Sequence, residues 1–188
     1  MKIRNLSVKF DQKTVIDEFN FNFAEGQLYI LDGVSGRGKT TLFNVISGVL
    51  KSYTGKVDLC GKRVAYMFQE DRLFRDFTVL ENVVCVTEGT ESNIEISKAI
   101  LKELGLENEI YSYPDDLSGG MRRRVALARA LVYNGDIVLL DEAFKGLDEE
   151  TCKNAIETVL KYTSGKIVVV AAHMLDKNLF GKCNVINL

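Results

Sequence analysis

Residues 33–41 read Gly-Val-Ser-Gly-Arg-Gly-Lys-Thr-Thr, three spaced glycines followed by a lysine and two hydroxyls. Glycines at this density let successive backbone N–H groups turn toward one point, and converging N–H groups bind a polyphosphate. The spacing fits G-x-x-x-x-G-K-[ST]. In that pattern Lys39 reaches the β- and γ-phosphates of a nucleotide and the Thr40 hydroxyl ligates Mg²⁺. Thr41 adds a further phosphate contact. A glycine turn that merely caps a helix is the plainer reading, but the context argues for the phosphate. The apolar strand Leu28–Leu31 leads in, and a helix over 39–50 leads out, with Leu42, Phe43, Ile46, Val49 and Leu50 on one face. The expected nucleotide-binding set is therefore Gly33, Ser35, Gly36, Arg37, Gly38, Lys39, Thr40 and Thr41.

Two carboxylates, Asp141 and Glu142, end the apolar run Ile137–Leu140. Open α/β sheets place ligands at the carboxyl ends of their strands, so paired acids there point to chemistry more than to solvation. Asp141 would hold Mg²⁺, directly or through water, and Glu142 would orient or deprotonate an attacking water. His173, the single histidine, follows Val168-Val169-Val170-Ala171-Ala172 and so stands at another strand end. That placement favours contact with the γ-phosphate over a packed or surface role. Gln69 closes Ala-Tyr-Met-Phe-Gln. Phe10 reads equally as a strand residue or as a ring that stacks on a base.

A second anion site is written at residues 117–121, Leu-Ser-Gly-Gly-Met. Ser118 is an N-cap residue, and each glycine behind it weakens a helix by up to about 1 kcal/mol relative to alanine. Such a pair implies that something approaches the backbone closely, and an anion is the natural guest of a helix N-terminus. Met121 stands where a glutamine would close a capping box, which a thioether cannot do. Arg122, Arg123 and Arg124 read as a solvated helix face.

Positioning these groups requires strands that alternate with helices, hence a mostly parallel sheet with helices on both faces. Strand signals fill residues 2–31, with Phe19, Phe21 and Phe23 alternating with asparagines. Glycine turns at Gly55 and Gly61 bracket a strand over 57–59, and 64–68 is another. From about Glu70 to Leu117 the pattern is helical, including Ile96, Ile100, Leu101 and Leu104. Helices over 122–133 and after Asp148 then alternate with strands at 137–140, 167–171 and 185–188. The 188 residues are 46% apolar and 27% charged with a net charge of -2, a balance that suits one globular domain and no general nucleic-acid binder. No apolar run approaches the roughly 18–20 residues of a membrane span, and the first ten residues lack a signal-peptide pattern. Cys60, Cys85, Cys152 and Cys183 are too scattered for a zinc site or a disulfide framework and fit a reducing cytosol.

Taken in order, these motifs resemble the ATP-binding subunits of ABC transporters from end to end. Residues 33–41 look like the Walker A loop, Gln69 like the Q-loop glutamine, and 117–121 like the signature usually written LSGGQ. Residues 137–142 resemble the Walker B strand with its catalytic glutamate, Lys145–Asp148 the D-loop with Asp148 at the dimer contact, and His173 the switch histidine. Phe10 falls where the family carries an adenine-stacking aromatic. Residues 67–83 and the methionine in the signature resemble importers of the nitrate, sulfonate and taurine group. Ala143, Ala172 and Met174 depart from the usual residues at their positions, and no phosphate or metal ligand is among them.

The resemblance implies an α/β P-loop NTPase (RecA-like) core, mostly parallel, with an N-terminal antiparallel β portion. Residues 1–69 and 127–188 would form that core and 70–126 an inserted helical lobe carrying the signature. It implies ATP hydrolysis with Thr40, Gln69 and Asp141 around Mg²⁺ and with Glu142 and His173 as catalytic residues. Ser118, Gly119, Gly120 and Met121 would act in trans on ATP held by a second ATPase subunit. Membrane permease subunits, with or without a solute-binding protein, would be the further partners, and no nucleic acid. The chain would sit in the cytoplasm against the inner face of the membrane. Phe74 and Phe77 would line the permease groove or belong to the lobe core. Non-transport work on a membrane protein, signalling or mechanical, is the alternative that this pattern leaves open.

Overall fold

The computed structural model describes residues 1–34, 36–172 and 177–188. Its elements in chain order are β1 (Lys2–Phe10), β2 (Lys13–Asn22), β3 (Leu28–Asp32), α1 (Lys39–Ile46), β4 (Thr54–Asp58) and β5 (Val64–Met67). There follow α2 (Val79–Val84), α3 (Glu91–Glu103), α4 (Gly119–Val132), β6 (Ile137–Asp141), α5 (Glu149–Tyr162), β7 (Ile167–Ala171) and β8 (Asn184–Asn187). The chain divides into two compact units. One comprises Met1–Tyr66, Gly135–Asp141 and Gly165–Leu188, the other Met67–Asn134 and Glu142–Ser164. The expected lobe, 70–126, falls within the second unit, which also takes residues 127–134 and α5.

The first unit carries two sheets. One is a three-stranded antiparallel sheet in the order β2-β1-β4. Gly55 lies inside β4 rather than in the expected turn. A Cβ there would come within 2.3 Å of the Asn5 carbonyl oxygen, and φ is +94°. Only glycine fits so close a backbone approach beside the irregular register of β1 and β4. The other sheet has the order β5-β6-β7-β3-β8, and the β6–β7, β7–β3 and β3–β8 ladders are parallel. Every residue of β6 and β7 is buried. This is why both read as unbroken apolar runs with no alternation. Leu31 pairs with Ala171, and Ala171 with Asp141. Three strands therefore end in register along one edge.

α1 packs its apolar face, with Leu42, Phe43 and Ile46 essentially inaccessible, into the core beside Leu139, Val169 and Leu31. It is shorter than expected. The helix stops at Ile46 because Gly48 adopts a left-handed φ of +77°, and Val49, expected on the buried face, is 58% exposed.

The second unit is helical. α4 packs against both α2 and α3, and α5 against α3 and α4. Val79, Val83, Ile100, Leu101 and Val125 are fully buried there. Thr78 and Thr90 close capping boxes at the starts of α2 and α3, and Asp148 caps α5 by accepting from the Thr151 N–H at 3.0 Å.

Candidate active site

The segment between β3 and α1 is built from glycines in conformations that other residues avoid. Gly36 and Gly38 have φ of +83° and +95°. At Gly38 a Cβ would also crowd Val15 and Ile16 of β2 at 3.1–3.2 Å, so two constraints fix its type. Lys39 is buried, at 8% exposure, and its ammonium donates to the carbonyls of Gly33 and Val34. A buried cation held by two neutral carbonyls is a site suited to an anion. Thr40 Oγ1 donates to Asp141 Oδ2 at 2.7 Å, across from α1 to the end of β6. Asp141 is 1% exposed and also receives the Tyr66 hydroxyl at 3.4 Å.

Among the described residues no cluster of three or more His, Cys, Asp or Glu could hold a metal. A hydroxyl beside one carboxylate instead matches the habit of Mg²⁺, which takes one or two protein oxygens and completes its shell with phosphate and water. The donor set thus fits a Mg²⁺–nucleotide. Phe10, at the end of β1, is 48% exposed.

Glu142 follows Asp141 and has a φ of +51°. A left-handed conformation costs a non-glycine residue roughly 1–2 kcal/mol, and such strain concentrates at functional sites. Its carboxylate is ion-paired to Lys145 at 2.7 Å.

A second set of donors stands at the start of α4. Ser118 Oγ accepts from the Met121 N–H at 3.2 Å, and among the described residues no side chain answers back to Ser118. The first turns of α2, α3 and α5 carry Glu81, Glu91 and Glu149–Glu150, which offset the positive helix end. The first turns of α1 and α4 carry no acid. Both helices therefore present uncompensated N–H groups where the glycine motifs lie. Gly119 and Gly120 are not in the left-handed region. A Cβ on Gly119 would meet nothing within 4 Å, and on Gly120 only ordinary contacts at 3.5 Å and beyond.

A profile described as ABC transporter matches residues 16–145 of this chain. The chain belongs to the ABC transporter ATP-binding family. An uncharacterized ABC transporter ATP-binding protein of Methanocaldococcus jannaschii is 34% identical, over 94% of this chain and 69% of its own length. The taurine import ATP-binding protein TauB of Escherichia coli O157:H7 is also 34% identical, over 96% of this chain and 76% of its own. A dimeric ATP-binding cassette solved in a post-hydrolysis state with ADP and Pi superposes with a TM-score of 0.83 at 30% identity, covering all of this chain and 93% of that one. The cassette is thus an ATP-binding ATPase, and none of its described helices is long and apolar enough to cross a membrane.

Within this ABC cassette Gly33, Gly36, Arg37, Gly38, Lys39, Thr40, Thr41, Phe10 and Asp141 lie in the first unit. Gln69, Ser118, Gly119, Gly120, Met121, Glu142 and Asp148 lie in the second. Ser35 and His173 lie outside the described residues. The three signature arginines are not the solvated face that their sequence suggests. Arg122 donates to the Leu117 carbonyl at 2.7 Å, Arg123 to that of Gln69 at 2.8 Å and Arg124 to that of Leu104 at 2.6 Å. Arg129, one and a half turns further along, holds the carbonyls of Asp71 and Arg72 at 2.8 and 2.9 Å. Burial pushes the Arg129 guanidinium below its ordinary value, opposed by Cys85 and Asp71.

Asn82 carries no sequence signal at all. Fully buried, its amide accepts from the Phe74 N–H at 2.8 Å and donates to the carbonyls of Phe74, Phe77 and Thr78, each at 3.0 Å. It thereby fixes the loop that displays Phe74 and Phe77, which are 54% and 39% exposed and meet at a tilt of 43° with centroids 5.2 Å apart.

Proposed function

We propose that the chain is the ATP-hydrolysing subunit of a membrane transporter and works as a pair, each ATP clasped between the phosphate loop of one subunit and the signature of the other. The glycine pair at the start of α4 carries this reading. Among the described residues nothing requires glycine at 119 or 120, neither backbone angle nor packing, although each weakens the helix. The requirement comes from outside, from a body that must approach the N–H groups of this helix end. An anion on a second subunit meets it.

Lys39 and the loop N–H groups neutralise the phosphates of the bound ATP. Thr40, Asp141 and Gln69 would hold Mg²⁺, which when bound spreads the charge that develops on the transferring phosphoryl group. Glu142 orients the water for in-line attack and receives its proton, and His173 contacts the γ-phosphate. Loss of the γ-phosphate removes the bridge between subunits, and the pair opens. Phe74, Phe77 and the segment after Gln69 form the surface on which permease subunits dock, with or without a solute-binding protein on the far side. The cassette then sits on the cytoplasmic face of the membrane.

The test is Glu142→Gln. Phosphate release should stop while ATP binding persists, and an ATP-dependent dimer should accumulate on size exclusion. Steady-state turnover at the wild-type rate would refute the assignment of Glu142.

A further inference from the structure

We propose that Lys145 is a positioning residue for ATP hydrolysis, holding one oxygen of the Glu142 carboxylate so that the other is presented to water. The inference rests on the reading of Glu142 as the residue that orients the attacking water. Lys145 Nζ lies 2.7 Å from Glu142 Oε2, and among the described residues it is the one ion-pair partner of that carboxylate. The pair spans a closed turn. The Lys145 N–H donates to the Glu142 carbonyl at 3.1 Å, and the Leu147 N–H to that of Phe144 at 3.4 Å. Ala143 and Phe144, between the partners, are 0% and 5% exposed and anchor the turn.

The backbone link fixes the turn that carries both residues, and the side-chain link restrains the freedom that a glutamate otherwise keeps at its three side-chain torsions. The Glu142 side chain is 15% exposed and that of Lys145 is 66% exposed. The lysine reaches in from the rim to a carboxylate that is largely shielded. A carboxylate has two oxygens and about four lone-pair sites, so an ammonium on Oε2 leaves Oε1 to accept from water. The same turn abuts the signature. A Cβ on Gly120 would lie 3.5 Å from Leu147 Cδ2 and 3.8 Å from the Gly146 carbonyl oxygen. The lysine that orients Glu142 is thus carried by a segment that lies beside Gly120 at the helix start.

An ion pair whose cation stands mostly in solvent contributes little to stability, so a role in positioning and a role in folding can be separated. Misplacing a reacting group by about an ångström costs up to about 100-fold in rate. In the full chain, Lys145→Ala should lower kcat for ATP about tenfold, with KM, the ATP dissociation constant and the melting temperature unchanged. Lys145→Arg, which keeps the cation, should restore kcat to within about threefold of wild type. In a Glu142→Gln background, Lys145→Ala should change neither the residual rate nor ATP-dependent dimerisation.

Wild-type turnover in Lys145→Ala, with Glu142→Gln inactive, would overturn the role of Lys145 and leave that of Glu142 standing. Faster turnover would overturn it as well, since the lysine would then restrain the carboxylate. Wild-type turnover in Glu142→Gln would instead remove the reading on which the inference rests.

Discussion

Replacing Gly119 by alanine should stabilise this protein and disable it. The residue opens α4, has an ordinary helical backbone and faces open space where a Cβ would stand. Alanine is thus compatible with the folded chain, and its gain comes from narrowing the unfolded ensemble, about 0.4–1 kcal/mol. For a chain of 188 residues this corresponds to a rise in melting temperature of roughly 1–4 °C. In the proposed pairing, the same methyl group would occupy the space through which an anion on the partner subunit comes. Losing one charge-assisted hydrogen bond costs about 1.5–3 kcal/mol, so hydrolysis should fall by roughly 10- to 100-fold. Calorimetry and phosphate release on the same preparation read both effects. The opposite signs are the point of the experiment. A variant that melts lower would show that the helix start has an internal need for glycine. A variant that hydrolyses ATP at the wild-type rate would show that nothing approaches there.

Ser118→Arg should leave nucleotide binding by the single chain nearly intact, measured by fluorescence titration, while hydrolysis is blocked. Collapse of ATP affinity would instead place the signature in its own chain's site. Asn82→Ala should destabilise by about 1–3 kcal/mol, because it removes the side chain that pairs the Phe74 N–H and the Phe77 carbonyl, while the Phe74 and Thr78 carbonyls keep their backbone donors. Limited proteolysis should then cut first within 70–78. Asp136 bonds the Arg63 N–H at 2.8 Å, and this bond, helped by Lys62, holds its carboxyl below the ordinary aspartate value. Its stabilisation is complete above the unfolded value of about 3.9 and is lost as pH falls through the lower folded one. Asp136→Ala should therefore melt below wild type at neutral pH, with the gap closing as pH falls below that unfolded value.

The phosphate loop, the strand-end acids and the signature were legible in the sequence because their chemistry is local. Each requires particular residue types within nine positions or fewer, on an element that its own periodicity declares. The in-register ends of β3, β6 and β7 follow from the apolar runs that precede them. What was not legible is made of common residues that bond the backbone of another segment. Asn82 reaches back eight positions to Phe74, and Arg129 fifty-seven to Arg72, and neither an asparagine nor an arginine in a helix announces its partner. Gly55 was misread for a related reason. A glycine in a turn and a glycine crowded by the neighbouring strand look alike until β1 is in place beside it. The last turn expected of α1 was lost to Gly48, whose left-handed backbone outweighs the apolar spacing of Val49 and Leu50.

Arg123 and Arg129 stand six residues apart on α4, about 9 Å along the helix axis. Each grips backbone of the short stretch from Gln69 to Arg72. A segment tied at one point can swivel, whereas one tied at two separated points inherits both the position and the heading of what it is tied to. The helix whose tip bears Ser118 and the strip of chain that issues from Gln69 consequently move as a single lever arm. A tilt of that helix should therefore carry the strip with it.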